Sequence, residues 1–234
     1  MSQTRTPAVY MRGGTSKGVF FRSQDLPTDP RQRDDLLLRV IGSPDRYGKH
    51  IDGMGGATSS TSKVVIVAPS SRPDCDVDYL FGAVSVVQPV IDWSGNCGNL
   101  SAAVGPFAIH TGLIVAPANG MATVRIWQAN VGRRILAHVP MRNGDVQETG
   151  DFDLDGVSFP GAEIRLEFLD PAAAEQLFPA GNPMDTLSVP GIGSIAATLI
   201  DAGNPTIFID AGVLGLTGTE LPSLVNQDAD LLAR

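Results

Sequence analysis

Short runs of β-type apolar residues, bounded by turn residues, recur along much of this chain and read as strands. Residues 8–11 and 18–21 predict two short strands around the tight turn Arg12-Gly13-Gly14-Thr15-Ser16-Lys17. Residues 77–87, 122–127, 134–139 and 162–168 carry the same β-type pattern, and Asn143-Gly144 has the form of a hairpin turn. The run Val64-Val65-Ile66-Val67, directly after Lys63, is strongly β-branched and reads as an apolar strand. A helical pattern stands out in two places. Residues 34–41 put Leu36, Leu37, Val40 and Ile41 on one stripe before the stop at Gly42. Residues 99–112 are apolar nearly all round (Leu100, Ala102, Ala103, Val104, Phe107, Ala108, Ile109), as a helix buried on every side must be. Residues 43–62, rich in Gly, Ser and Thr, read as a long flexible connection. Many strands and one buried helix predict an α+β fold in which a curved antiparallel sheet wraps around a central helix.

Beyond residue 178 the pattern changes. Residues 179–189, with Gly181 and Pro183, read as a linker; residues 194–200 and 206–209 are strand-like, and residues 228–234 helix-like. The expected organisation is a first domain over residues 1–185 and the start of a second, incomplete one over residues 190–234.

Composition narrows the function. The chain has 234 residues, 43% hydrophobic and 18% charged, with a net charge of −8. That charge disfavours nucleic acid or an anionic membrane as a partner. No stretch of about 18 apolar residues is present to span a membrane, and the N-terminal segment lacks a signal-peptide pattern, so a cytoplasmic location is expected. Two cysteines, Cys75 and Cys97, are too few for a disulfide framework. The lysines number three, Lys17, Lys49 and Lys63, and two of these follow serine within Gly/Ser/Thr-rich stretches. An acidic protein with an anionic ligand has to gather such charges locally.

Three segments have residue types suited to chemistry. In Gly95-Asn96-Cys97-Gly98-Asn99 the thiol stands where the buried helix begins, close to unpaired N–H groups and the positive end of the dipole. Those N–H groups, with glycines that admit a ligand to the backbone, form a natural carboxylate cradle. The plainer alternative is an inert buried cysteine in a glycine turn. Ser60-x-x-Lys63 has the spacing of a serine/lysine hydrolase motif, but that motif opens a helix, whereas Lys63 leads into a β-branched strand, so the hydrolase reading is rejected. Lys63 is then either a base at the mouth of an apolar strand or a charge guarding a strand edge. Arg12 to Lys17 resembles a phosphate loop only superficially and is either an anion cradle or a surface hairpin. His50, His110 and His138 have no ligand spacing, and His110 falls inside the buried helix as a core residue; no metal and no nucleotide or flavin cofactor is expected.

Taken together, MRGGTSKG at 11–18, IDGMGGATSSTSK at 51–63 and DWSGNCGN at 92–99 resemble the PrpF family of 2-methylaconitate cis-trans isomerases, in the diaminopimelate-epimerase-like superfamily. The likeness continues through WQAN at 127–130, QETGD at 147–151 and AGNPT at 202–206. It implies two similar domains, each a curved antiparallel sheet around a helix, with the active site in the cleft and no cofactor. Matching by motif places the catalytic lysine at Lys63 and the catalytic cysteine at Cys97. Arg12, Thr15, Ser16, Lys17, Asn96, Gly98, Asn99 and, on a shorter motif, Asn204 are the implied substrate-binding residues. The implied substrate is a small unsaturated tricarboxylate, and the implied functional partner an aconitase-like 2-methylcitrate dehydratase of propionate breakdown; a homo-oligomer is left open. Two alternatives stand beside it: a sister activity, 4-oxalomesaconate tautomerase or methylitaconate isomerase, and a truncated, non-catalytic binding module. Family members are longer, so the resemblance also implies that residues 190–234 are only part of their domain.

Overall fold

In the computed structural model, which describes residues 4–169, 177–202 and 204–233, the chain divides into units at residues 1–170 and 171–234. In the first, a nine-stranded sheet comprises β1 (Val9–Gly13), β2 (Ser16–Arg22), β3 (Lys63–Pro69), β4 (Val77–Val84), β5 (Ile91–Asp92), β6 (Gly120–Gln128), β7 (Arg133–Arg142), β8 (Asp145–Val146) and β9 (Arg165–Leu169). The order is β1-β2-β3-β4-β6-β7, with β5 beside β4 and both β8 and β9 beside β7. Helix α1 spans Pro30–Ile41 and α2 spans Gly98–His110.

The expected buried helix is the axis of this unit. Leu100, Ala103, Val104, Phe107 and Ala108 of α2 are buried, and α2 touches β1 and β2 on one side and β6 to β9 on the other. One helix meets strands from both halves of the sheet because the sheet curls around it. Phe107 and Phe20 pack with ring centroids 5.5 Å apart. The run after Lys63 is buried on both faces: Val65 and Val67 join the α2 core, while Val64 and Ile66 join a second core with Leu37 and Ile41 of α1. That is why it lacks alternation.

In this unit four expectations need correction. The sheet is not wholly antiparallel, since β2–β3 and β4–β6 pair in parallel. Each parallel pair is joined by a long connection containing a helix, as parallel pairing requires. Helix α1 begins at Pro30, four residues before the expected start at residue 34, because Asp29 caps Gln32 N–H (2.9 Å) and Pro30 occupies the first turn. Residues 43–62 are not a free connection: Asp45 accepts the N–H groups of Tyr47, Lys49 and His50 at 2.9, 2.9 and 2.7 Å. Buried His50 then takes Ala57 N–H at 3.3 Å and lies 3.2 Å from buried Ser62 Oγ, so side chains supply the bonds a ladder would. His110 ends α2 and is exposed rather than in the core.

In the second unit β10 (Asp185–Val189), β11 (Gly193–Asp201) and β12 (Pro205–Ile209) form an antiparallel sheet, followed by α3 (Pro222–Gln227) and α4 (Ala229–Leu232). The linker expected over residues 179–189 is therefore strand over its second half, where Leu187 pairs with Ile195 and its prolines lie outside the pairing. Gly203 of the Gly-Asn-Pro turn, and Arg234 at the end of the helix-like stretch, lie outside the described residues.

Candidate active site

The site starts from a close approach of backbone to backbone. The turn between β1 and β2 lies on the first residues of α2, where a Cβ at Gly13 would come within 2.5 Å of Asn99 O and 2.9 Å of Leu100 Cα. At Gly14, φ is +51°, and a Cβ would meet the Asn99 side chain. Glycine is thus required twice for the hairpin to rest on the helix. Thr15 Oγ1 then accepts Asn99 Nδ2 at 3.0 Å, and buried Ser16 brings its Oγ to 4.0 Å from Cys97 Sγ.

Cys97 is the N-cap of α2. Its Sγ faces Leu100 N–H at 3.5 Å, and its carbonyl accepts Ser101 N–H at 3.0 Å and Ser101 Oγ–H at 2.9 Å. The Tyr79 hydroxyl donates to the same carbonyl at 3.4 Å; burial, and next the charge of Cys97, push this phenol far above its ordinary range, so it stays a donor. Among the described residues, the N–H groups of Gly98 and Asn99 have no partner, and both residues are exposed. Upstream, Asp92 accepts Ser94 Oγ–H (2.6 Å) and N–H (2.8 Å), which hold its carboxyl below the usual range and shape the turn into Cys97. The side-chain oxygen of Asn96 is buried without a hydrogen-bond partner among the described residues.

Lys63 opens β3, and its register puts it on the α2 side with Val65 and Val67. Its Nζ reaches 3.4 Å from Cys97 Sγ and lies over the Phe81 ring, 4.8 Å from the centroid. Among the described residues no carboxylate pairs with Lys63. A primary amine and a thiol in contact at a helix N-terminus, with free N–H donors alongside, can carry a proton to or from a carbon and hold an anion while they do so.

The structure therefore brings together Lys63, Cys97, Ser16, Thr15 and Asn99, with Gly98 and Asn96 on the same loop. It does not bring Arg12 or Lys17 to the thiol. These two pair across the hairpin on the face away from α2, where Arg12 Nη1 donates to Gly14 O at 2.8 Å and Lys17 Nζ lies 5.6 Å from the Tyr10 ring centroid. Asn204, in the second unit, is exposed and its carbonyl accepts Thr206 Oγ–H at 3.0 Å. Cys75 is buried just before the far end of β4, whose first residue, Val77, lies about 20 Å along the strand from Ala83, the partner of Lys63. Phe81, a direct neighbour of the lysine, was invisible without the register. Gln147, Gly150 and Asp151 of the 147–151 motif line a separate cleft with Met121, Pro140 and Phe152. Among the described residues no group of three His, Cys, Asp or Glu could hold a metal ion, and no helix is long and apolar enough to cross a membrane.

Comparison with known proteins adds four findings. The profile of the PrpF protein family matches residues 3–234. The chain is 63% identical to the 2-methyl-aconitate isomerase of Cupriavidus necator, over 99% of this chain and 61% of that protein. It thus spans about 60% of the length of the curated relatives it matches. The crystal structure of a methylitaconate-delta-isomerase superposes with a TM-score of 0.74 at 44% identity, covering 99% of this chain and 59% of that one. A hydroxyproline epimerase from Agrobacterium vitis, 15% identical with a TM-score of 0.51 over 90% of this chain and 53% of that one, shares the fold alone. The diaminopimelate-epimerase-like α+β architecture expected from the motifs is the one observed.

Proposed function

This chain belongs to the PrpF family, and from that premise we propose that the protein of which it is part is a cofactor-independent cis-trans isomerase of 2-methylaconitate. The observation that carries the proposal is the 3.4 Å contact of Lys63 Nζ with Cys97 Sγ at the N-terminus of α2. Lys63 removes a proton from the allylic methylene of the tricarboxylate. The electron pair spreads into the adjacent unsaturated system as an extended enolate, the former double bond rotates, and the proton returns to the same carbon. Atoms and charge balance without a redox partner. Cys97 lies within reach to donate the returning proton or to stabilise the enolate. The free N–H groups of Gly98 and Asn99 seat a substrate carboxylate, with Asn96, Thr15 and Ser16 around it. Asn204 is proposed as a further substrate-binding residue. Arg12 and Lys17, turned to the other face, are retained only as long-range attraction for an anionic substrate.

The setting proposed is the cytoplasm, downstream of an aconitase-like 2-methylcitrate dehydratase, in a protein whose second domain is begun by residues 190–234. Because a methylitaconate isomerase has the same fold at 44% identity, isomerisation of a smaller unsaturated dicarboxylate is the second reading. The test is a substrate panel with the full-length protein: 2-methylaconitate, methylitaconate and 4-oxalomesaconate, followed by ultraviolet absorbance. Fastest turnover of 2-methylaconitate supports the proposal; fastest turnover of methylitaconate replaces it with the second reading.

A further inference from the structure

Between the ends of two strands, β4 has an edge with no strand beside it among the described residues. Strand β6 pairs with β4 as far as Tyr79, and β5 pairs only with Ala83 and Val84. The main chain of Phe81 falls in that gap, and the side chain of Asn130 fills it. Asn130 Oδ1 accepts Phe81 N–H at 2.8 Å, and Nδ2 donates to Phe81 O at 2.9 Å, as a neighbouring strand would. The same amide makes two more bonds: Nδ2 donates to Trp93 O at 2.6 Å, and Oδ1 accepts Gln128 Nε2 at 2.6 Å. Gln128, wholly buried, completes the set by accepting Val131 N–H at 2.8 Å. Both hydrogens and both lone-pair directions of the Asn130 amide are in use. The orientation is settled by the chemistry, because the reverse amide would aim its N–H₂ at the Phe81 N–H.

One of the two backbone segments that Asn130 joins lies beside the β3 strand of Lys63, and the other leads to Cys97. Phe81 provides the ring under Lys63 Nζ. Trp93 begins the loop that runs four residues to Cys97. Its indole is tied to α1, donating to Asp34 Oδ2 at 3.2 Å with the Arg33 guanidinium 4.7 Å from the ring centroid. Its carbonyl is tied to β4 only through Asn130 among the described residues.

We infer that Asn130 is a positioning residue: it fixes the Cys97 loop against β4 and so sets the distance between Cys97 and Lys63. The inference rests on the isomerase reading for its effect on rate, but its structural content does not. In the full-length protein, Asn130→Asp keeps shape and acceptors while turning a carboxylate oxygen towards two carbonyls. We expect kcat on 2-methylaconitate to fall at least tenfold with KM within twofold. We also expect the pH profile of Cys97 alkylation by iodoacetamide, read at that residue by peptide mass spectrometry, to move to the profile of Lys63→Ala. Gln128→Met, which loosens the amide from one side, gives a smaller shift in the same direction and serves if Asn130→Asp does not fold. A folded variant whose Cys97 profile equals that of the wild type overturns the inference, whatever its stability. If the wild type turns over no tricarboxylate, the isomerase reading falls, and the alkylation profiles still decide the role of Asn130.

Discussion

Replacing Gly98 by alanine separates the site from the scaffold. Gly98 is the first residue of α2, and its φ lies outside the left-handed region. The atom nearest to an added Cβ is Phe168 Cζ at 3.7 Å, an ordinary van der Waals distance. The methyl therefore meets no clash, and alanine is favoured over glycine by up to about 1 kcal/mol in a helix interior and by less at its first position. Folding stability should be unchanged or slightly higher. Function should move the other way. If a substrate carboxylate sits on the Gly98 and Asn99 N–H groups, a methyl there occupies its space, and one methyl out of place in a binding pocket costs about 1–3 kcal/mol, or roughly 10–200-fold in kcat/KM. Urea unfolding and steady-state kinetics on the same preparation of full-length protein measure both. Wild-type kcat/KM in a stable variant refutes the carboxylate seat, and a marked loss of stability refutes the geometry at the start of α2.

Two further outcomes follow from packing and charge. Gly13→Ala pushes a Cβ against the backbone of Asn99 and Leu100, so it should destabilise by about 1–3 kcal/mol; an unchanged midpoint in urea contradicts the seating of the hairpin on α2. Burial pushes the Asp76 carboxyl up, but hydrogen bonds from the Arg125 guanidinium and N–H outweigh it and hold the group below its ordinary range. A lowered folded-state pKa stabilises above the unfolded value and is lost as pH falls, so stability should decline from about pH 4 downward, and less steeply in Asp76→Asn. Equal slopes for the two proteins in unfolding series from pH 5 to pH 3 would remove Asp76 from the account.

Much of the reactive centre was legible because its signals are local. A cysteine between glycines ahead of an apolar helix announces an N-cap, and a lysine before a β-branched run announces a strand end. Their meeting was legible only through the family resemblance and not from the residues themselves, since it depends on β3 and α2 lying together across 34 positions of sequence. Arg12 and Lys17 show the same limit from the other side. Their charge suggested a ligand, but the hairpin register turns both away from α2, and a shift of one residue in register reverses such an assignment. The parallel pairs were hidden because strand pattern carries no direction. Asn130 gave no signal of its own, since the gap it fills exists only once β5 and β6 have both docked on β4.

The central claim is that Lys63 moves the proton. Its most direct test is the turnover of 2-methylaconitate by full-length Lys63→Ala beside the wild type, with both shown to be folded by their thermal transitions. Loss of a general base predicts a fall in kcat of about 10²-fold or more with the fold intact. A folded Lys63→Ala enzyme that turns over at close to the wild-type rate would contradict the account.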